Sequence, residues 1–201
     1  MSDNNYKTLR SYEGHINEYI EGTPKEVTGD VKRWIDTTLQ NIPLDASILE
    51  FGSVFGRDAS YIEEMGYCVQ RTDATQGFVD YLRGHGYAAY QLSAITDELH
   101  DSYDLVFADA VLLHFTTEEM KVVLEKVFRS LKEGGRFSFS LKQGEGDEWS
   151  DAKLGSPRYF RYWQENDVAD LLSVIGYTDM AITNGSQGRS NAKWLHVIAK
   201  R

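Results

Sequence analysis

The sequence predicts an α/β fold, a doubly wound and mostly parallel seven-stranded sheet that ends in an antiparallel C-terminal hairpin strand. Two observations support this prediction. Short apolar runs alternate with amphipathic stretches along most of the chain, which indicates right-handed βαβ units and a sheet covered on both faces. The last two apolar runs are joined only by "NGSQGRSNA", which is too short for a helical crossover, so these strands are expected to pair antiparallel.

The N-terminal part of the chain is predicted to be helical. In "YKTLRSYEGHINEYIEGTP" the apolar residues recur at roughly helical spacing up to a break before Pro24. The next stretch, "KEVTGDVKRWIDTTLQNI", places its apolar residues on one helical face. These helices precede the first strand and are therefore expected outside the sheet.

The rest of the chain alternates between the two kinds of element. Strands are predicted at "SILEFG", "YCVQRTD", "AAYQLSA", "YDLVFAD", "RFSFSLK", "TDMAIT" and "WLHVIAK". Helices are predicted at "RDASYIEEMG", "QGFVDYLRGHG" and "NDVADLLSVIG". A further helix is expected to begin at the capping box Thr116-x-x-Glu119 and to end at Gly134-Gly135.

Length and composition limit the function. The 201 residues suit a single domain, 1–201, and the formal net charge of −10 disfavours a dedicated nucleic-acid binder. The single cysteine, Cys68, excludes an intramolecular disulfide and a cysteine-rich zinc site. The polar N-terminus and the lack of a long apolar stretch predict a cytoplasmic protein without a membrane anchor.

The stretch "EFGSVFGRD" lies where an open α/β sheet binds ligands, beyond the carboxyl end of a strand. Gly52 and Gly56 punctuate this turn, and the helix that follows presents free N–H groups to a negative or polar group. Asp73 ends the second strand, 21 residues after Gly52, and a carboxylate at this spacing can accept hydrogen bonds from ribose hydroxyls. The alternative for Asp73 is a turn-forming role.

The spacing of Glu50, Gly52 and Gly56 resembles the acidic-x-Gly-x-Gly-x-Gly motif of class I S-adenosylmethionine-dependent methyltransferases, with Val54 in place of the middle glycine. The resemblance covers roughly residues 5 to 200. It includes "YDLVFADAVLLHF", "VFRSLKEGGRFSFSLK" and "RYFRYWQENDVADLLSVIGY". The resemblance implies a Rossmann-like fold and S-adenosylmethionine as the cofactor.

The resemblance also implies site residues. Residues 1–40 would be a helical lid or cap, as in relatives that act on small molecules, although Tyr12 and Tyr19 are equally compatible with core packing. The expected cofactor-binding residues are Tyr19, Glu50, Gly52, Gly56, Asp73, Ala74, Ser93, Ala94, Ile95, Asp109 and Val111.

The acceptor side is predicted from residue types. His114 follows a strand end and is either a general base, a wall of the pocket or a cap of the next helix. In "SPRYFRYW" arginines alternate with aromatic residues, which suits a small carboxylate acceptor or, alternatively, ordinary packing. The expected substrate residues are Tyr12, His114, Lys142, Arg158, Tyr159, Arg161 and Tyr162. The acidic run in "QGEGDEW" favours a solvated loop over a metal site, so no metal is expected.

Val54 leaves the function open between three hypotheses. A β-branched residue resists the backbone conformation that a glycine adopts in such a turn. The loop then either shifts and still binds the cofactor, or accommodates a modified sulfonium, or belongs to a degenerate relative. The corresponding functions are methyl transfer to a small-molecule acceptor, another sulfonium-dependent reaction, and a binding or scaffold role. The "ADAVLL" segment lacks the Pro-Pro-aromatic motif of enzymes that methylate amino groups of nucleic-acid bases.

Overall fold

A computed structural model describes residues 1–186 and 192–201 and confirms the predicted α/β fold. The strands in these ranges are β1 (Ile48–Phe51), β2 (Val69–Asp73), β3 (Ala89–Gln91), β4 (Tyr103–Ala108), β5 (Leu131–Lys142), β6 (Asp147–Ser150), β7 (Arg158–Arg161), β8 (Thr178–Ser186) and β9 (Lys193–Lys200). The α-helices are α1 (Asp3–Glu13), α2 (Ile16–Glu21), α3 (Gly29–Leu39), α4 (Arg57–Glu64), α5 (Gln76–Gly84), α6 (Thr117–Ser130) and α7 (Glu165–Ile175).

The main sheet has seven strands in the order β3-β2-β1-β4-β5-β9-β8. The pairs from β3 to β5 are parallel, whereas β9 is antiparallel to both β5 and β8. The predicted C-terminal hairpin is thus confirmed, but most of its connection, residues 187–191, lies outside the described residues. The strand order reverses between β1 and β4, and ligands of open α/β sheets bind beside such a switch point.

The sheet is covered by apolar side chains on both faces, as the strand sequences predict. On β4 the residues alternate: Leu105 and Phe107 join the cluster beneath α3 and α4, whereas Val106 and Ala108 join the cluster beneath α6 and α7. This alternation follows from the two-residue period of a strand. Because side chains on both faces of this strand are buried, nearly every position favours an apolar residue, which explains the continuous apolar run.

Helix α6 begins as predicted and ends earlier than predicted. The capping box is confirmed, because Glu119 N donates to Thr116 Oγ1 (3.3 Å) and Thr116 N donates to Glu119 Oε2 (3.1 Å). The predicted end at Gly134-Gly135 is wrong: the helix ends at Ser130, and Leu131 already pairs with Tyr103 of β4. The glycines form a tight irregularity inside β5, where a Cβ on Gly135 would lie 2.9 Å from the carbonyl oxygen of Tyr103.

A small antiparallel hairpin, β6 paired with β7, extends from the carboxyl end of β5. The predicted solvated loop over "QGEGDEW" is therefore only partly correct, since residues 147–150 form β6, although most of that strand is exposed. The hairpin is anchored to the sheet where Trp163 N donates to the carbonyl oxygen of Lys142 (3.0 Å). It places β7 over the end of the sheet where the glycine turn lies.

Helix α1 lies across the same end of the sheet and is tied to it by polar contacts. Ser11 Oγ donates to the carbonyl oxygen of Pro157 (2.6 Å), and the backbone N–H of Tyr159 donates to Thr8 Oγ1 (3.0 Å). The carboxylate of Glu13 accepts a hydrogen bond from Gly77 N (3.0 Å) at the start of α5, where a helix favours negative charge. The predicted N-terminal helix is interrupted at Gly14, so that α1 and α2 are separate.

The described residues lack two kinds of feature. None of the helices in that part of the chain is both long and apolar enough to cross a lipid bilayer. No group of three or more His, Cys, Asp or Glu side chains in residues 1–186 and 192–201 could hold a metal ion.

Candidate active site

Two adjoining cavities open at the carboxyl ends of β1, β2 and β4, beneath α1 and α2. The first has a volume of about 80 Å³ and extends towards β2 and β3, and the second has a volume of about 450 Å³ and extends towards the β6–β7 hairpin. Seven residues line both cavities: Tyr12, Tyr19, Gly52, Val54, Asp109, Ala110 and His114. These residues mark the junction at which two bound molecules would meet.

The glycine turn has a left-handed backbone at Gly52, Val54 and Gly56. Gly52 has a φ of +68°, and a Cβ on it would lie 2.4 Å from Cγ2 of Val111, so only glycine fits there. Val54 has a φ of +50°, the left-handed conformation that a β-branched side chain disfavours. Its N–H donates to Asp73 Oδ2 (3.1 Å), which helps to hold the strained backbone. Such strain costs about 1–3 kcal/mol.

Asp73 is buried at the end of β2 and lies on the wall of the first cavity. Its carboxylate accepts hydrogen bonds from the backbone N–H groups of Val54 (3.1 Å) and Thr75 (2.8 Å). Burial raises the pKa of Asp73 to about 6, although both hydrogen bonds act in the opposite direction. The Asp73 side chain therefore holds the turn and also borders the space that a ligand could occupy.

Two of the predicted cofactor residues do not line either of these cavities. Glu50 is buried beneath the turn, where it accepts a hydrogen bond from Ser53 Oγ, and desolvation followed by the charge of Asp58 raises its pKa to about 8. Gly56 has a φ of +84° and precedes α4. A Cβ on Gly56 would lie 3.1 Å from Leu82 Cδ2. Both residues shape the turn from outside the cavities.

The other predicted cofactor residues all lie on the wall of the first cavity: Tyr19, Gly52, Asp73, Ala74, Ser93, Ala94, Ile95, Asp109 and Val111. The structure therefore brings together residues that follow four different strands. Sequence reasoning did not identify several further residues of this wall, namely Asn5, Thr8, Leu9, Phe51, Thr75, Phe78, Leu92, Ala110 and Phe115. Most of them are apolar, and apolar residues near strand ends carry no signal that separates a cavity wall from the core.

The segment that contains Ser93, Ala94 and Ile95 is held by a lysine of α6. Lys126 is buried, and its ammonium nitrogen donates to the carbonyl oxygens of Ala94 (3.0 Å), Ile95 (3.0 Å) and Asp97 (2.6 Å). Desolvation lowers the pKa of Lys126. One side chain thus holds three backbone carbonyl groups of a loop that has little secondary structure of its own.

An ion-pair network fixes the floor of the junction. Arg57 donates to Asp109 Oδ2 (2.8 Å) and pairs with Asp58 through two hydrogen bonds (2.7 and 3.0 Å). Asp109 also accepts from Ser140 Oγ (2.6 Å). Burial is the main cause that raises the pKa of Asp58 to about 6. The two carboxylates are therefore neutralised mainly by the protein itself.

His114 lies at the junction in one defined tautomer. Its Nδ1 lies 2.6 Å from the carbonyl oxygen of Tyr159, which can only accept, so Nδ1 carries the proton. The lone pair of Nε2 then accepts a hydrogen bond from the hydroxyl of Tyr12 (2.8 Å), and that hydroxyl accepts from Arg158 Nη1 (3.3 Å). Complete burial lowers the pKa of His114 to about 3. The imidazole is therefore neutral at physiological pH.

The structure divides the predicted substrate residues into two groups. Tyr12, His114, Lys142 and Arg158 line the second cavity. Tyr159, Arg161 and Tyr162 do not line either of these cavities. Successive residues of a strand point to opposite faces, which explains why Arg158 reaches the cavity whereas Arg161 pairs with Asp147 (3.6 Å).

Sequence reasoning missed important residues of the second cavity, including Arg57, Asp58, Lys153 and Trp194. Arg57 and Asp58 directly follow the glycine turn and could have been found by that position. Lys153 lies in the loop between β6 and β7, and no pattern in the sequence links that loop to α2. Trp194 belongs to a strand that reads as ordinary core.

The comparisons with known proteins agree with this geometry. The family of methyltransferase domains matches residues 49–139, from the start of β1 into β5. This segment is a methyltransferase domain. It contains the glycine turn, Asp73, the Ser93–Ile95 segment and Asp109. No curated protein matches this sequence.

Several solved structures share the fold of this chain at low sequence identity. One is the Burkholderia thailandensis 1,6-didemethyltoxoflavin-N1-methyltransferase, with 1,6-didemethyltoxoflavin and S-adenosylhomocysteine bound, at a TM-score of 0.73 and 17% identity; the match covers 100% of this chain and 91% of that one. A Methanosarcina mazei S-adenosylmethionine-dependent methyltransferase matches at a TM-score of 0.70 and 14% identity, over 88% of this chain and 98% of that one. A glycopeptide N-methyltransferase with S-adenosylhomocysteine matches at 0.69 and 14% identity, over 95% of each chain.

Proposed function

We propose that this methyltransferase transfers a methyl group from S-adenosylmethionine to a small-molecule acceptor that carries a carboxylate. The observation that carries the proposal is Arg158. Only 6% of this residue is exposed, it lines the second cavity, and it forms no ion pair within the described part of the chain. A buried guanidinium without a counter-charge is unfavourable, and a carboxylate ligand would supply two acceptor oxygens in matching geometry.

The first cavity fits the nucleoside part of the cofactor. Its wall is largely apolar, which suits a purine ring, and the Asp73 carboxylate at its edge suits two ribose hydroxyls. Ala74 and the segment held by Lys126 would flank the adenine, and Gly52 leaves room for close approach of the backbone. The bound cofactor supplies an electrophilic methyl group on a sulfonium sulfur.

Helices α1 and α2 form the proposed lid, within residues 1–40. Tyr12 and Tyr19 pack edge to face with centroids 5.1 Å apart, and Tyr19 also contacts Phe78 of α5 (5.7 Å). With α1 and α2 in place the first cavity measures about 80 Å³, and we propose that these helices move outward to admit the nucleoside. Their contacts are polar and aromatic, which suits a cover that opens and closes over a dry site.

At the junction the chain itself aligns the acceptor and excludes water. The Tyr12 hydroxyl is oriented by His114 on one side and by Arg158 on the other. With a pKa of about 3, His114 is a weak proton acceptor, so we propose that it positions Tyr12 rather than acting as a general base. Rate enhancement would then come mainly from holding the acceptor in line with the methyl group.

Calorimetric titration with S-adenosylmethionine and S-adenosylhomocysteine tests the cofactor site. We expect wild type to bind both, and Asp73→Ala to weaken binding at least about 10-fold, since two hydroxyl contacts are lost. A titration without heat for wild type would refute the proposed function. Tight binding without transfer to any acceptor would favour the binding or sulfonium-dependent alternatives.

The acceptor side is tested with a matched pair of variants on β7. S-adenosylhomocysteine formation is followed with a panel of small carboxylic acids, and the best acceptor is compared between Arg158→Met and Arg161→Met. We expect KM to rise at least about 10-fold for Arg158→Met, whereas Arg161→Met should be close to wild type because its side chain points away from the cavity. Equal effects of the two substitutions would refute the carboxylate role of Arg158.

A further inference from the structure

The wall of the second cavity is positively charged although the chain as a whole is acidic. Four cationic side chains (Arg57, Lys142, Lys153 and Arg158) and two acidic ones (Asp58 and Asp109) line it, a net charge of +2 in a chain of −10. Arg57 pairs with both acids. The remaining three cations have no ion-pair partner within residues 1–186 and 192–201.

The unpaired cations contact the cavity wall at two points, one marked by the Tyr12 and Phe160 rings and the other by the Tyr19 ring. Arg158 is beside the Tyr12 and Phe160 rings, 5.6 and 5.1 Å from their centroids, and Lys142 lies over the same Phe160 ring at 3.7 Å. Lys153 is on the side of the lid, 3.6 Å from the Tyr19 ring, where its ammonium nitrogen donates to Thr23 Oγ1 (2.6 Å). The two rings that mark these points, Tyr12 and Tyr19, have centroids 5.1 Å apart.

We infer that the acceptor is a dicarboxylate, with one carboxylate held by Arg158 and Lys142 and the other by Lys153; this inference rests on the proposed function. A dianion matches the net charge of +2, and positive clefts of this kind concentrate anionic ligands. Two carboxylates joined by a short skeleton can reach both points at once. A single phosphate would concentrate its charge at only one of them.

The charged groups around Lys153 agree with the proposal that this lysine holds the second carboxylate. Desolvation, and then the charges of Arg158 and Arg57, lower the pKa of Lys153 to about 8. The ammonium therefore lies among like charges, and a carboxylate beside it would relieve that repulsion. Because Lys153 also contacts Thr23 and Tyr19 of the lid region, the second carboxylate would bind where the lid meets the hairpin.

Trp194 provides both a further polar contact and an optical probe. Its indole Nε1 is buried without a hydrogen-bond partner among the described residues, and the side chain lines the second cavity. The N–H can donate only, so a carboxylate oxygen is a suitable partner. Occupation of the cavity should change the fluorescence of this residue.

The experiment measures anion binding to the protein saturated with S-adenosylhomocysteine, by calorimetry and tryptophan fluorescence at constant ionic strength. The probes are succinate, glutarate and isophthalate, each against the monoacid of similar skeleton (butyrate, valerate and benzoate), together with phenyl phosphate. We expect at least one diacid to bind wild type at least about 10-fold more tightly than its monoacid. That preference should disappear in Lys153→Met and persist in Lys153→Arg.

Lys121→Met, an exposed lysine of α6 outside both cavities, is the control for a general loss of positive charge. A preference for the diacid that survives in Lys153→Met would overturn the inference, as would equal binding of diacids and monoacids or no binding of any diacid. Tighter binding of phenyl phosphate than of every diacid would overturn it in favour of a phosphate ester. None of these results alters cofactor binding, which separates this failure from failure of the proposed function.

Discussion

Two residues of the candidate active site have an energetically unfavourable conformation or environment. Val54 is the only β-branched residue in the described part of the chain with a left-handed backbone, and His114 is an imidazole held neutral by burial. Both lie at the junction of the two cavities. Strained or desolvated residues persist where the surrounding structure compensates for them, and such positions cluster at functional sites.

The strain at Val54 predicts that Val54→Gly stabilises the protein. Glycine adopts the observed φ of +50° without a steric penalty, and the gain exceeds its larger entropy in the unfolded chain. We expect the free energy of unfolding to rise by about 1 kcal/mol in urea denaturation. Val174→Gly, at an exposed position of α7, is the control and should lower it by about 0.3 kcal/mol, the difference in helix propensity between the two residues. A destabilised Val54→Gly variant would contradict this account.

The buried state of His114 predicts a specific dependence of stability on pH. Its pKa is about 3 when folded and near 6.5 when unfolded, so acid favours the unfolded chain, which binds the proton more readily. The free energy of unfolding should therefore fall progressively as the pH decreases below about 6.5. The difference in unfolding free energy between wild type and His114→Asn should decline by about 2 kcal/mol from pH 7 to pH 5.

The comparison with His114→Asn is needed because Glu50, Asp58 and Asp73 titrate in the opposite sense. Burial raises their pKa values, so their contributions favour the folded state as the pH falls. Those contributions are common to both proteins and cancel in the difference. A difference that stays constant with pH would show that His114 has the same pKa in the folded protein and in the unfolded chain, and would restore it as a candidate base.

At the scale of elements, predictability follows the strength of the local signal. The strands and the start of α6 were predictable because a two-residue burial period and a capping box are local patterns. The end of α6 was not, because Leu131 leaves the helix to pair with Tyr103, a contact that no local pattern encodes. The β6–β7 hairpin was missed for the same reason, and with it the position of Lys153.

The site was predictable where residues directly follow strands. Gly52, Asp73 and Asp109 were found because parallel strands deliver their carboxyl ends to one edge. Arg158 was selected by residue type, but nothing in the sequence separated it from Arg161, since the phase of β7 was unknown. Lys126 gave no signal, because a single lysine on an amphipathic helix usually faces solvent.

The contacts of Lys126 predict that it joins α6 to the segment around Ser93–Ile95. Lys126→Met keeps the length of the side chain but leaves three carbonyl oxygens without their donor. We expect the free energy of unfolding to fall by about 1–3 kcal/mol in urea denaturation. Hydrogen exchange should accelerate at residues 93–97, and S-adenosylhomocysteine should bind more weakly.

Lys121→Met on the same helix serves as the control, since its side chain is largely exposed and should change stability by less than about 0.5 kcal/mol. Equal stability of the two variants would mean that the three hydrogen bonds of Lys126 contribute nothing beyond solvation by water.

At the scale of the whole molecule, the charge of the chain and the charge of the second cavity have opposite signs, −10 and +2. An anionic acceptor is repelled at long range and attracted only near the cavity. Exposed charges are screened more strongly by salt than partly buried ones. Added salt should therefore weaken the long-range repulsion first.

The opposite signs of the charge of the chain and the charge of the second cavity predict that a dicarboxylate such as isophthalate associates faster as salt is added. The Debye length falls from about 30 Å at 0.01 M salt to about 8 Å at 0.15 M, which removes most of the repulsion from distant acidic residues. We expect the association rate constant, measured by stopped-flow tryptophan fluorescence, to increase about twofold over this range. Chloride competing for the cavity would act in the opposite direction, so an increase is diagnostic. A steep decrease would mean that the field of the cavity dominates at long range and that the acidic surface has no part in the encounter.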